Sequence, residues 1–203
     1  MENKKVLAIF GGSYNPPLNS HFSLAEQMLT EYENIEKVIF VPVSTKYNKK
    51  GLISNEHRYN MLKLVCEKNE KFEVSNIELI QEKQLDTLKT LELMKNEYPN
   101  YELCFTMGTD NLKEISTWTL AEELVTKFKI LVIERDEDNI EEIIKNDEFL
   151  KKHKESFLKV KENIRSNISS TFVREKIKNG KSIRYFTPDD VYFYIKEHNL
   201  YNL

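Results

Sequence analysis

At 203 residues the chain is long enough to bury a substantial core, and a single domain over 1–203 is the expectation. Its 30 Lys and Arg face 33 Asp and Glu, a formal net charge of −3, which excludes a generally basic nucleic-acid binder and makes any phosphate binding local. It holds two cysteines and no run approaching the ~20 apolar residues of a membrane span, and no signal-like apolar stretch follows the opening MENKK. A globular protein of the reducing cytoplasm, with buried free thiols at Cys66 and Cys104 and no membrane partner, is expected.

Residues 6–10, VLAIF, read as a strand that gives way to Gly11 and Gly12. Leu24, Ala25, Met28, Leu29 and Tyr32 then recur at helical spacing over 22–32. VIFV at 38–41 is the next strand, stopped by Pro42. A helix over 55–66 puts Met61, Leu62 and Val65 on one face; 72–74 form a short strand and 85–97 another helix. LCFTM at 103–107 is a strand ending at Gly108, and KILVI at 129–133 is a further strand. The charge-rich stretch 136–162 is expected to form a surface helix and loops without chemistry. Order returns with a helix carrying Phe172, Val173 and Ile177, closed by Asn179 and Gly180, and a last helix opened by Pro188.

This alternation predicts the α/β class: a Rossmann-like, doubly wound parallel sheet with helices on both faces and a small helical C-terminal part over about 168–203. Ligands of such sheets bind beyond the carboxyl ends of the strands, so the residues to watch follow Phe10, Val41, Met107 and Ile133.

The most unusual sequence stands at the first of those ends: GGSYNPPLNSH, residues 11–21. A glycine pair lets a ligand approach the backbone closely, and the following helix start offers unpaired N–H groups suited to phosphate. The spacing matches neither G-x-G-x-x-G nor the P-loop pattern. His21, at the helix start, is placed to donate to a phosphate oxygen, although a tight turn followed by an exposed histidine would read the same way.

Together with four further blocks in order, this segment resembles the nicotinamide and nicotinate mononucleotide adenylyltransferases of the nucleotidyltransferase superfamily. The blocks are NKKGLISNEHRYNML (48–62), MGTDNL with a later Trp (107–118), NISSTFVREKIKNGKSIRY (167–185) and IKEHNLY (195–201). The lysine-rich and C-terminal blocks resemble the eukaryotic type; LDTLKTL and GTDNL also suit the bacterial type. One departure stands out: Leu18 occupies the first position of the family's [His/Thr]-x-x-His pair, and Ser20 stands where bacterial members commonly have glycine.

The resemblance implies attack of a mononucleotide phosphate on the α-phosphorus of ATP, with Mg2+ carried by the ATP phosphates and no metal site in the protein. The nucleophile is already largely ionised at neutral pH, so no general base is needed. Catalysis reduces to alignment and charge neutralisation, which a second histidine is not required to supply. His21, Arg174 and Lys49 are the expected catalytic groups. ATP is expected at Gly11, Gly12, Ser13, His21, Gly108, Asp110, Ile168, Ser169, Ser170, Thr171 and Arg174. The mononucleotide is expected at Ser13, Tyr14, Lys49, Lys50, Thr87 and Trp118.

Each assignment has an ordinary alternative. Ser169, Ser170 and Thr171 form a helix cap whether or not phosphate binds; Arg174, one turn on, favours phosphate, because guanidinium pairs with its oxygens in a fork. Lys49 and Lys50 read as solvated surface charge or phosphate ligands, and Lys46 is a weaker third. Gly108 and Asp110 are a helix cap or an adenosine contact, and Trp118 a core residue or a stacking face for a flat ring. Arg58 is expected to anchor its helix and serve the site indirectly. Asp86 lies with Thr87 near where the family reads the pyridine substituent, and Ile77 stands where the eukaryotic type tends to have a second tryptophan. His153 and His198 are expected to be surface or structural residues, and the aromatics from Tyr185 to Tyr201 to be core or subunit contacts, which leaves a homo-oligomer open. Two other functions remain: transfer to another acceptor, or nucleotide binding with turnover lost through Leu18.

Overall fold

The computed structural model describes residues 5–46, 51–135, 137–160, 166 and 168–202. Six parallel strands form one sheet: β1 (Val6–Gly12), β2 (Ile35–Pro42), β3 (Phe72–Val74), β4 (Glu102–Gly108), β5 (Lys129–Ile133) and β6 (Phe157–Lys159), in the order β3-β2-β1-β4-β5-β6. The nine α-helices among the described residues are α1 (Asn19–Glu31), α2 (Asn55–Cys66), α3 (Thr87–Glu97), α4 (Thr109–Leu112), α5 (Ala121–Lys127), α6 (Ile140–Lys145), α7 (Glu148–Lys152), α8 (Ser170–Lys178) and α9 (Asp189–Glu197). The chain runs outward in one direction from β1 to β3 and in the other from β4 to β6, so its winding reverses between β1 and β4. The doubly wound parallel sheet is therefore as expected.

The central strands are apolar throughout because both faces are covered. Successive side chains point to opposite faces, so Leu7 and Ile9 join Leu91, Met94 and Leu124 on one side. Ala8 and Phe10 join Ala25, Met28 and Phe40 on the other. A third cluster lies off the sheet, where Leu18 and Met61 meet Val173, Ile183, Val191 and Ile195 of the C-terminal part. Cys66 and Cys104 are buried free thiols. No helix among the described residues is long and apolar enough to cross a membrane.

The expectation for 136–162 needs correcting. The segment holds α6, α7 and the edge strand β6, and it buries Ile140, Leu150, Phe157 and Val160. Its apolar residues are too sparse to set a period, yet each lands on the core. The local signals are the caps: Asn139 accepts from the Glu142 N–H and Asp147 from the Leu150 N–H, both at helix starts. The helix expected over 22–32 begins three residues earlier, at Asn19, which puts His21 in its first turn.

Candidate active site

A cleft of about 950 Å3 opens at the carboxyl edge of the sheet, where the winding reverses between β1 and β4. Strand ends have exposed backbone groups there, and diverging loops leave room between them. The segments after β1, β4 and β5, the start of α8 and the loop before α3 all contribute walls.

The β1 loop is built around its two glycines. A Cβ on Gly11 would stand 3.2 Å from the Phe105 ring, and one on Gly12 would stand 2.9 Å from the Tyr14 ring. Tyr14 has φ 47°, is 2% exposed, and donates its hydroxyl to the Phe10 carbonyl at 2.6 Å. Its phenol thus holds the loop from beneath, and the backbone is what it has left to offer the cleft. Ser13 keeps its place because Arg58, fully buried, donates Nη1 to the Ser13 carbonyl at 2.9 Å. Arg58 also donates Nε to the Ile53 carbonyl and Nη2 to Asn55 Oδ1, at 3.2 and 2.7 Å. It anchors the start of α2 and supports the cleft from behind.

Asn15 is the joint between this loop and the rest of the chain. Its Nδ2 donates to the Gly51 carbonyl at 2.8 Å, and its Oδ1 accepts from the Tyr201 hydroxyl at 3.0 Å. Its carbonyl accepts from Arg174 Nη1 at 2.8 Å, while Ser170 Oγ donates to the neighbouring Pro16 carbonyl at 2.8 Å. The C-terminal helices therefore fasten directly onto the glycine loop. Asn15 was not singled out from sequence, although its place in an Asn-Pro-Pro turn was a signal.

His21 lines the cleft at the third position of α1. Its Nδ1 accepts the Leu18 backbone N–H at 2.9 Å, and its own N–H donates to the Leu18 carbonyl at 3.1 Å. With Nδ1 used as an acceptor, the proton of the neutral ring sits on Nε2, which makes His21 a donor without a charge. Burial, with the Arg135 charge added, lowers its pKa to about 4. Leu18 itself is 2% exposed and packs in the third cluster.

At the start of α8, Ser169 accepts the Phe172 N–H at 3.2 Å and so does cap the helix. Thr171 Oγ1 accepts from Arg174 Nη2 at 3.1 Å, and Ile168, Ser169, Ser170, Thr171 and Arg174 all line the cleft. Opposite them, Asp110 Oδ1 and Arg135 Nε form an ion pair at 3.3 Å. These two side chains take the space above Gly108 that a Cβ would need. That is a different use of the glycine from the ligand contact expected of it. Thr109 is buried and accepts the Arg135 N–H on its hydroxyl at 3.1 Å.

The cleft is also lined by the aromatic rings of Phe105 and Trp118 and by the carboxylates of Glu78, Asp86 and Glu114. Trp118 is half-buried with its ring 6.5 Å from Phe105, edge to face. Thr87 lines the cleft beside Asp86, whose carboxylate accepts the Lys89 N–H at 2.8 Å and caps α3. Glu78, 9% exposed, accepts from the Thr90 hydroxyl at 2.8 Å, and burial raises its pKa. Ile77 is buried in the core. Lys46 donates to the Gln81 carbonyl at 2.5 Å. Lys49 and Lys50 lie outside the described residues. His153 stands 3.1 Å from the Glu122 carboxylate, and His198 packs its ring 4.2 Å from that of Tyr194, both away from the cleft walls.

Two residues of the site were missed from sequence. Arg135 is the second residue after β5, at one of the strand ends where ligands are expected; the charged run that begins beside it reads in sequence as solvated surface. Glu78 lies in the turn four residues beyond β3, a strand too short and too mixed in composition to mark its end as a ligand-bearing edge.

Comparison with known proteins supplies the lineage. A family model described as cytidylyltransferase-like matches residues 9–176. A probable nicotinate-nucleotide adenylyltransferase of Carboxydothermus hydrogenoformans is 36% identical over 196 residues, covering 96% of this chain and 97% of that protein. One of Clostridium tetani is 34% identical over 205 residues, covering 97% and 99%. Among solved structures, the Plasmodium falciparum nicotinic acid mononucleotide adenylyltransferase complexed with NaAD superposes with a TM-score of 0.78 at 23% identity, covering 98% of each chain, which speaks to the fold. The chain belongs to the cytidylyltransferase-like family, among the nicotinate-nucleotide adenylyltransferases.

Proposed function

We propose that this chain transfers the AMP part of ATP to nicotinate mononucleotide, with nicotinamide mononucleotide as the other candidate acceptor. An oxygen of the mononucleotide's phosphate attacks the α-phosphorus, a new P–O–P bond forms, and the bond from the α-phosphorus to the β-phosphate oxygen breaks. Pyrophosphate leaves with that electron pair, and no proton has to move for the charges to balance. The protein's task is to hold two anions in line and offset their charge.

The observation that carries this reading is the meeting, in one cleft, of an uncharged Nε2–H donor on His21, the Arg174 guanidinium and the amides of the glycine loop. His21 would donate to a phosphate oxygen without first having to lose or gain a proton. Arg174, fixed by the Asn15 carbonyl, would present its remaining edge to the same phosphates. Gly11, Gly12 and Ser13 would supply backbone contacts, and Asp110 would accept from ribose hydroxyls. Ile168 and the start of α8, from Ser169 to Thr171, would face the nucleotide, with the N–H groups of the helix start turned toward its phosphates. Trp118 and Thr87 suit the pyridine end, and Tyr14 would contribute through its backbone. Lys49 and Lys50 remain the proposed ligands of the mononucleotide phosphate.

Among the described residues no three His, Cys, Asp or Glu side chains gather to hold a metal. The donors on the cleft walls suit phosphates, whose oxygens in turn would hold Mg2+; the ion would neutralise charge on the departing pyrophosphate.

The test is pyrophosphate release from ATP with each mononucleotide in parallel. Release with nicotinate mononucleotide, at a rate that is saturable in both substrates, is the expected result. Silence with both overturns the proposal, and tight ATP binding without product would indicate a binding protein instead.

A further inference from the structure

Beside the Mg2+, Lys49 and Lys50 proposed for the phosphates, the described walls of the cleft must themselves offset charge, and His21 and Arg174 are not the only groups there able to do so. The triphosphate and the attacking monoester are both polyanions, and the leaving pyrophosphate gathers charge as the bond breaks. His21 enters the site neutral. Leu18, three residues before it, has an apolar side chain packed into the C-terminal cluster. Among the described residues lining the cleft, the permanent cations are Arg174 and Arg135.

These two guanidinium groups are held very differently. Arg174 is tied on one side to the Asn15 carbonyl and on the other to Thr171 Oγ1, at 2.8 and 3.1 Å. Arg135 has one ion-pair contact, Nε to Asp110 Oδ1 at 3.3 Å, and both side chains are more than half exposed, at 57% and 55%. Such pairs are weak in water. The two Nη nitrogens of Arg135 carry no hydrogen bond among the described residues. Its backbone, by contrast, is fixed: the N–H, two residues beyond the paired end of β5, donates to buried Thr109. Gly108 leaves open the space across which the side chain lies. A fixed backbone and a loosely held head describe a cation able to change partners.

On the adenylyl-transfer reading, we propose that Arg135 is a catalytic residue that exchanges its ion pair for the substrate phosphates. When ribose hydroxyls hydrogen-bond to Asp110, its carboxylate acquires new partners and its hold on Nε weakens. The guanidinium then turns over Gly108 and offers its fork to the phosphate oxygens beside His21. Its charge is already felt at the His21 ring, where it adds to burial in lowering the pKa, so the two groups lie within electrostatic reach. Arg135 in this way adds a second guanidinium to Arg174, beside the charge that Mg2+, Lys49 and Lys50 would bring to the phosphates.

The proposal is tested with Arg135→Gln and Arg135→Lys, assayed with saturating mononucleotide and varied ATP. A transition-state contact requires Arg135→Gln to lower kcat by about 30-fold or more while KM for ATP moves less than about threefold. Arg135→Lys should recover a good part of that loss, since charge is kept and the fork is not. In the ligand-free protein, Arg135→Gln should also raise the pKa of His21, followed by NMR of its ring. A structure with α,β-methylene-ATP should place a guanidinium nitrogen within hydrogen-bond distance of a phosphate oxygen. An unchanged kcat in Arg135→Gln overturns the proposal. So does a loss confined to KM, which would assign the residue to nucleoside binding, or a bound structure in which Arg135 stays on Asp110. If the wild type turns over neither mononucleotide, the adenylyl-transfer reading falls and this inference with it; a fully active Arg135→Gln removes the inference alone.

Discussion

Leu18 and His21 divide between them a job that one residue usually does. An N-cap is commonly Ser, Thr, Asp or Asn, whose side chain accepts a free N–H in the first turn. Leu18 stands at that position of α1 with no acceptor to offer, and the reverse half of the exchange is made instead: the His21 ring takes the Leu18 N–H. The bond orients the imidazole, and protonation at Nδ1 would break it. A pH dependence follows with a definite sign. His21 titrates near 4 when folded against an ordinary 6.5, so between those values the unfolded chain binds a proton that the folded one does not. Stability from this residue is complete above about pH 6.5 and is lost as pH falls toward 4. Unfolding free energies from urea titrations of the ligand-free protein at pH 7, 5.5 and 4.5 should fall more steeply for wild type than for His21→Asn, by on the order of 2 kcal/mol over the window. Parallel lines for the two proteins would show that the ring is not held neutral.

At the scale of elements, the site depends on a fastening that runs from the last residues of the chain to its first loop. After α9, Tyr201 crosses back to Asn15, and α8 reaches the same loop through Arg174 and Ser170. Removing the hydroxyl in Tyr201→Phe leaves the ring in place and strips one acceptor contact from Asn15 Oδ1. A loss of about 1 kcal/mol in stability is expected, with KM for ATP rising severalfold because the loop is less well fixed. Unchanged KM would mean that Arg174 and Ser170 hold the loop by themselves. This fastening was only partly legible in the sequence. The ends of β1 and β4 could be read from apolar runs that meet Gly, and that of β5 from an apolar run that meets charge; they located Gly11, Asp110 and the neighbourhood of Arg135. Asn15 and Tyr201 lie 186 positions apart, and no local pattern relates them. The 136–162 segment failed for a related reason: Ile140, Leu150 and Phe157 acquire meaning only against the sheet they cover. Periodicity reports an element's own face, and these elements are too short to have one.

Across the whole molecule, three packed regions compete for the residues at the mouth of the cleft, and Leu18 shows which wins. The sequence located it as a missing phosphate donor, a view drawn from the motif alone. In the fold its side chain belongs to the third cluster with Met61, Val173, Ile183, Val191 and Ile195, the contact that seats the C-terminal part against α1 and α2. A polar residue here would trade core for chemistry. Replacing Leu18 with Thr removes buried methyl groups and leaves a hydroxyl among apolar neighbours. Large-to-small changes in a core, with a buried polar group added, cost about 2–4 kcal/mol. The expected outcome for Leu18→Thr is therefore a clear fall in thermal midpoint, together with loosening of α8 and α9 visible as faster amide exchange. The turnover of the folded fraction should change by less than about threefold, because the side chain at this position is 2% exposed and packs with the third cluster, although it also borders the cleft. Thermal unfolding and kcat measured on the same preparation separate the two effects. A rise in kcat of tenfold or more, with stability kept, would mean that the side chain can turn into the cleft and that the site lacks a donor there. In that event the burden assigned to Arg135 would be shared, and combining Leu18→Thr with Arg135→Gln would reveal it as a smaller loss than Arg135→Gln produces alone.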